Sequence, residues 1–330
     1  MPAHDTPSTS SRAEGNTILT VIGESLVDII SDPLRPEAIQ AHPGGSPLNV
    51  AVGAARLGLQ TSLVTHYTDD RYGLMIDKHL QENRVRVING GTTPTSTALA
   101  TLGPDGAADY TFSITWEIGG AAPPALAAVE GSTHVHAGSI AAVLPPGNLA
   151  TLALVQAARE HATISYDPNC RPALSPDAAA ARSQAELFVA ASDIVKASDE
   201  DLSWLYPDRT PDATLEAWLE LGPALVALTR GASGPVILSR NGRAEMPAEP
   251  ITVADTVGAG DSFMAGLISG LAQLDALGTD ERHRLQTLSP EQLHALAAYS
   301  NRAAAITCSR KGANPPGSAE LGPLTVRLTA

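Results

Sequence analysis

Asp255-Thr256-Val257-Gly258-Ala259-Gly260-Asp261-Ser262-Phe263 opens an apolar run that continues to Leu271. A strand-like stretch, Pro250 to Ala254, leads into it. Two glycines two apart let a turn aim several backbone N–H groups at one point. The helix predicted to follow adds about half a positive charge at its N-terminus. That combination is an anion site. A carboxylate in the same first turn makes chemical sense if it takes a proton while the amides hold the charge that develops. Together these residues point to phosphoryl transfer to an alcohol.

Two other readings compete for this turn. A dinucleotide fingerprint needs a small residue at position 263, and Phe263 stands there; a bulky ring opposes close packing of helix on strand. A purely structural turn is the other. No GxxxxGKS/T pattern occurs, so any nucleotide is held in another way.

The rest of the chain narrows the class. Its 330 residues are 43% hydrophobic and 17% charged, enough to bury the core of one large α/β domain or two smaller ones. A net charge of -14 argues against nucleic acid and anionic membrane as partners. Cys170 and Cys308 lie far apart with no CxxC, which reads as reduced thiols in a cytoplasmic protein. His134 and His136 alternate as on a strand, a pattern that reads as packing before metal binding. The first sixteen residues are polar, lack the pattern of a signal peptide and read as a disordered tail. No apolar run is long enough to span a bilayer.

Strands are expected at 17–22, 61–65, 134–137, 163–166, 193–196, 224–229 and 236–239. Helices are expected at 49–57, 72–82, 149–161, 178–190, 259–274 and 290–306. Such alternation predicts one α/β domain over 17–330, with a mostly parallel sheet covered by helices on both faces. Residues 95–102 and 108–116, around Pro104-Asp105-Gly106, read as a β-hairpin. Ile29 to Pro43 is poorly periodic. A small β flap built from about 27–44 and 92–118 would lie over the C-terminal edge of the sheet, where ligands bind in such folds. Its exposed edges could pair with a second copy, so a homodimer through this flap is an expectation.

Gly44-Gly45-Ser46-Pro47-Leu48-Asn49 precedes the first helix. Adjacent glycines let a small ligand approach the backbone, and Asn49 offers both a donor and an acceptor. Asn49 as a helix cap is the plain alternative.

These two stretches resemble the two signatures of the PfkB (ribokinase-like) carbohydrate kinase family. The first carries Gly44-Gly45-x-Pro47-x-Asn49-x-Ala51 with Gly58, and the second Asp255-Thr256-x-Gly258-Ala259-Gly260-Asp261. Further matches are Gly23-Glu24 through Asp28, His136-Ala137-Gly138-Ser139, Asp167-Pro168-Asn169-Cys170-Arg171-Pro172, Lys196-x-Ser198-x-x-Asp201, Thr229-x-Gly231-x-x-Gly234 and Cys308 to Ala313. One position departs: Thr68 stands where the family usually has Gly, ahead of Asp69-Asp70-x-x-Gly73. The stretches around Gly44, Asp167 and Cys308 look most like the fructokinase branch.

The resemblance implies a ribokinase-like three-layer α/β/α fold with a small β-sheet lid. It implies an ATP-dependent sugar kinase that uses Mg²⁺ and transfers the γ-phosphoryl group to a hydroxymethyl group, with fructose the expected acceptor. Kinases of 2-keto-3-deoxygluconate or ribose are the alternatives, and a non-catalytic sugar-binding relative is a third. The candidate lid residues Tyr110, Phe112, Ile114 and Trp116 do not name the sugar. Asp28, Gly44, Gly45 and Asn49 correspond to residues that hold sugar hydroxyls; without the family, Asp28 reads as a loop carboxylate. Asp261 corresponds to the catalytic base, and Val257, Gly258, Ala259 and Gly260 to the anion hole. Asn169, Arg171, Lys196, Thr229, Gly231, Gly234 and Asn301 correspond to the ATP region, with Gly258 and Gly260. Plain alternatives are a surface ion pair for Arg171 and a solvated helix residue for Asn301. Asp201 corresponds to a residue that positions Mg²⁺ through water. Asp255, Val257, Thr307, Arg310 and Gly312 correspond to a loop site for K⁺.

Overall fold

The computed structural model describes residues 17–31, 39–102 and 108–326. The expected tail, 1–16, and the hairpin turn at Pro104-Asp105-Gly106 lie outside the described residues. The strands in chain order are β1 (Ile18–Ile22), β2 (Leu26–Ser31), β3 (Gln40–Gly44), β4 (Gln60–Thr65), β5 (Arg86–Asn89), β6 (Ser96–Leu102) and β7 (Ala108–Ser113). They continue with β8 (His134–Gly138), β9 (Thr163–Asp167), β10 (Ile194–Ser198), β11 (Leu225–Thr229), β12 (Val236–Ser239) and β13 (Gly242–Glu245).

Nine of these form one sheet in the order β13-β12-β11-β10-β9-β8-β1-β4-β5. All its pairs are parallel except β11–β12 and β12–β13. Both faces of the central strands are covered, and β8 and β9 are buried along their whole length. Val226 and Leu228 pack with Trp218, Phe188 and Tyr166 on one side. Leu225 and Ala227 pack with Phe263, Ile268 and Leu296 on the other. The helices Ser46–Arg56, Ala259–Gln273 and Pro290–Cys308 cover this second face. No helix among the described residues is long and apolar enough to cross a membrane.

The second sheet has the order β3-β2-β6-β7, with β2 and β6 parallel and both outer pairs antiparallel. The hairpin of β6 and β7 agrees with the sequence reading, but β7 ends at Ser113. Trp116 belongs to the main core: it is fully buried, and its indole N–H donates to Thr151 Oγ1 at 2.9 Å. β2 and β3 fall in the stretch that showed little period. Pro43 lies in β3, an edge strand, where a missing N–H is tolerated. Pro250–Ala254 is not a strand. The chain leaves the sheet after β13, and the N–H groups of Ala254 and Asp255 donate to the Cys308 carbonyl at 2.8 and 3.2 Å. His134 and His136 are buried packing residues, bonded to Thr163 and Ser165 on β9, and burial drives both pKa values down to about 3.

Thr68 fits without a left-handed backbone. Its hydroxyl donates to Asp70 Oδ2 at 3.0 Å. Asp70 caps the helix Arg71–Glu82 by accepting from Tyr72 and Gly73 N–H, and it also accepts from Thr95 N–H at 2.9 Å, just before β6. Burial works to raise its pKa, but these bonds outweigh it and bring the carboxyl down to about 2. A depressed carboxyl stabilises the fold above its unfolded pKa of roughly 4 and loses that contribution as pH falls toward the folded value. Asp70→Ala should therefore lower stability by about 1–2 kcal/mol near neutral pH. Urea unfolding of the parent and variant should show the gap narrowing as pH drops below about 4.

Candidate active site

Parallel strands end together, and their C-terminal ends carry loops whose polar groups the sheet cannot satisfy. Here those ends and the second sheet enclose a cleft of about 700 Å³. Asp28, Gly45, Asn49 and Asp261 line it. So do Asn169, Arg171, Lys196, Asp201, Thr229 and Gly231, and the turn Asp255, Val257, Gly258, Ala259 and Gly260 with Gly312.

Gly258 is the N-cap of the helix Ala259–Gln273, with a left-handed φ of 76°. A Cβ there would stand 2.6 Å from Ala313 Cβ. The first-turn amides of a helix have no partner within it. Among the described residues none accepts from the N–H of Gly260 or Asp261. Phe263 is 2% exposed and packs in the core, which agrees with the argument against a dinucleotide turn.

Asp261 is 8% exposed and faces the cleft. Its Oδ2 accepts from Asn49 Nδ2 at 2.8 Å, and its Oδ1 accepts from the Ser46 hydroxyl at 2.6 Å. Ser46 was not singled out from the sequence. It occupies the free position of its motif, and only the fold brings it to Asp261, 215 residues away.

Lys196, on β10, reaches toward the same turn. A Cβ on Gly260 would lie 3.0 Å from its Nζ, so glycine makes room for the ammonium. Nζ donates to Asp167 Oδ2 at 2.8 Å, with side chains 4% and 1% exposed. Burial works against the charged Lys196, but Asp167, Asp201 and Asp261 outweigh it and hold its pKa above the ordinary value. Burial raises Asp167 to about 6 despite the pull of Lys196.

Asp28 lies on β2 opposite His42 of β3 and Ala98 of β6. Burial raises its pKa, and the charges of Arg171 and His42 oppose that rise. Gly44 is needed beside it, since a Cβ would lie 2.2 Å from Asp28 Oδ2. Gly45, at φ 107°, lets the Glu24 carbonyl approach within 2.6 Å of where a Cβ would be. Glu24 also lines the cleft, accepts from Ala141 N–H at 3.2 Å, and is pushed by burial up to about 7. Phe112 and Ile114 face the cleft from β7 and its exit, whereas the side chain of Tyr110 lies outside the described residues.

Other expected residues serve the loops. Arg171 curls back onto Asn169 Oδ1 at 2.8 Å and onto the carbonyls of Asn169 and Cys170. This replaces the surface ion pair considered from sequence. Asp201 closes a capping box on the helix Asp199–Leu205, and its other oxygen accepts from Cys170 N–H at 2.6 Å. Gly234, at φ 78°, packs against the Met246 carbonyl. Asn301 is buried rather than solvated, and its amide donates to the Pro247 carbonyl at 3.0 Å. Asp255 accepts from Gly312 N–H at 2.9 Å and Val257 N–H at 3.1 Å, tying two loops together. Thr307 bonds to Ser262 Oγ and Arg310 pairs with Glu320, so those two side chains point away from that junction. Among the described residues no cluster of three His, Cys, Asp or Glu side chains forms a metal site.

The pattern of the pfkB family carbohydrate kinases matches residues 16–320. The chain belongs to this family. A fructokinase of Rhizobium leguminosarum bv. trifolii is 32% identical over 254 residues, covering 76% of this chain and 78% of its own. The fold is similar to that of a fructokinase with bound ATP from Xylella fastidiosa, with a TM-score of 0.79 and 24% identity, covering 90% of this chain and 94% of that one. A fructokinase double mutant from Vibrio cholerae O395, in a form with fructose, ADP and potassium ion bound, superposes with a TM-score of 0.73 at 23% identity, covering 92% and 95%.

Breaking the buried pair from one side leaves an uncompensated charge. Lys196→Met should destabilise the fold by about 3–5 kcal/mol in urea unfolding. Adding Asp167→Asn should recover much of that loss, because no charge is then stranded.

Proposed function

We propose that the chain is an ATP-dependent sugar kinase whose acceptor is fructose. One observation carries the reading. A buried carboxylate, held by Asn49 and Ser46, stands in the first turn of a helix whose Gly260 and Asp261 amides have no acceptor among the described residues. The sugar lies between Asp28 on the small sheet and Asp261, with Asn49 and the glycine pair Gly44-Gly45 close to its hydroxyls. The small sheet acts as the lid, and its closure excludes water from the reacting groups.

Asp261 takes the proton of a hydroxymethyl group. That oxygen forms a bond to the γ-phosphorus in line with the breaking bond to the β-phosphate oxygen, and ADP leaves. The Gly258 and Gly260 amides and the Lys196 ammonium face the charge of the transferring group, the effect that supplies most of the acceleration in phosphoryl transfer, while the Ala259 amide donates to the Thr256 carbonyl. ATP runs along the ends of β9 to β11, past Asn169, Arg171, Thr229 and Gly231, with the buried Asn301 behind the cleft rather than in its lining. Gly234 shapes the turn. Mg²⁺ carried with ATP supplies charge neutralisation at the phosphates. Asp201 has both oxygens engaged, so its part toward that ion is through water.

The loops joined by Asp255 and Gly312 support a monovalent-cation site built from backbone carbonyls around Val257, Thr307 and Arg310. Free Cys170 and Cys308 fit a reducing compartment, the cytoplasm. The outer edges of β3 and β7 support a homodimer paired through the lid.

Asp261→Asn should keep the fold and ATP binding while kcat falls on the order of 10²–10⁴-fold. Near-parental turnover would remove Asp261 from the role of base. ATP consumption measured across fructose, ribose, 2-keto-3-deoxygluconate and nucleosides should be fastest with fructose, and a different preferred acceptor would overturn that assignment. Replacing K⁺ by Na⁺ at fixed ionic strength should lower the rate; equal rates would remove the cation site.

A further inference from the structure

Asp261 is the third residue of its helix. A side-chain acceptor at this position usually turns back to the free N–H groups at the start of its own helix. Two helices of this chain do so. Asp201, third in Asp199–Leu205, accepts from the N–H of its N-cap Ser198 at 2.8 Å. Gln292, third in Pro290–Cys308, accepts from the N–H of Ser289 at 2.9 Å. The stimulus to turn back is strong for Asp261 too. Its N-cap is a glycine with no side chain to occupy a first-turn amide, and a carboxylate is attracted to the positive end of the helix.

Asp261 nevertheless accepts its two side-chain hydrogen bonds from outside its own helix. Ser46 Oγ donates to one oxygen at 2.6 Å and Asn49 Nδ2 to the other at 2.8 Å. Both donors stand in the first turn of the helix Ser46–Arg56, which packs against the helix of Asp261. Gly53 of that helix would place a Cβ 2.8 Å from Ala265 Cβ, so the two backbones approach closely and fix the reach of Ser46. Ser46 is 7% exposed, and Asp261 Oδ1 is the partner of its hydroxyl.

We propose that Ser46 is a positioning residue for Asp261. With Asn49 it holds the carboxylate off the amides of its own first turn. The amides then stay open for the phosphoryl group, and a lone pair of the carboxylate stays directed at the sugar hydroxyl. A carboxylate that turned back would fill the anion site with the protein's own charge. Ser46 thus acts through Asp261, without touching the reacting atoms, and the inference rests on the kinase reading above.

Kinetics and crystallography of Ser46→Ala test it. The variant should keep its thermal midpoint and hold KM for sugar and ATP within about twofold, while kcat falls on the order of tenfold to a hundredfold, the scale of a hydrogen bond to a charged group. Ser46→Thr, which keeps the hydroxyl, should recover most of the rate. In an Asp261→Asn background Ser46→Ala should change kcat no further, since two residues acting as one unit are not additive. A parental kcat in Ser46→Ala, or a second full loss in the double variant, overturns the proposal. A crystal structure of Ser46→Ala decides it independently of turnover: the Asp261 carboxylate should turn to the Gly258–Gly260 amides, and an unmoved carboxylate overturns the proposal. If the parent phosphorylates no sugar, the kinase reading falls, and this structural comparison still decides whether Ser46 holds the carboxylate.

Discussion

Two peptide N–H groups at the cleft, those of Gly260 and Asp261, have no acceptor among the described residues, and much of the surrounding structure keeps them so. Orphan donors at a helix start are normally met by a cap. Here the cap position is a glycine in the left-handed region, packed against Ala313. The nearest carboxylate is held by a neighbouring helix, and the nearest ammonium is held by Asp167. Each local preference is overridden by a long-range contact. Such local conflict marks sites where a fold gives up stability for function.

The charges around this point are unevenly paired. Lys196 faces three carboxylates, Arg171 acts on Glu24 and Asp28, and His42 also acts on Asp28. A cleft with this excess of acid repels a bare triphosphate. A polyphosphate therefore enters more favourably with its divalent cation than without it. The two cations are also held differently. Lys196 is buried and fixed, whereas Arg171 is exposed and folded onto its own loop. The first is preorganised; the second can re-aim when a phosphate offers a bidentate partner.

The sequence made the sheet legible wherever a strand is buried on both faces, as in β1, β8, β9 and β11. It made the long helices legible through their period. It failed at β5 and β13, four-residue strands on the sheet edges, and at β2 and β3, where one face packs and the other meets the cleft. Asp261 and Asn49 could be found because each stands in a patterned stretch beside glycines that need an explanation, and Lys196 because a charged residue ends an apolar strand. Ser46 could not, because its meaning is a contact across 215 residues of chain. Asn301 shows the opposite limit: its position was visible, but its bond to the Pro247 carbonyl depends on a segment that has left the sheet.

The small sheet is stitched from two insertions and crosses to the main body at four places, beside Gly23, Gly45, Thr95 and Thr115. Among the described residues its one parallel pairing, β2 with β6, sets Leu26 opposite Ser96, some seventy positions apart. During synthesis the first ribbon, β2 with β3, must therefore wait unpaired while β4 and β5 are still emerging. Contacts of such separation form late, because loop closure must precede any gain. Until β6 arrives, one long side of β2 is an open template for another nascent chain. The interval of greatest danger for this protein falls before it has a binding cleft at all.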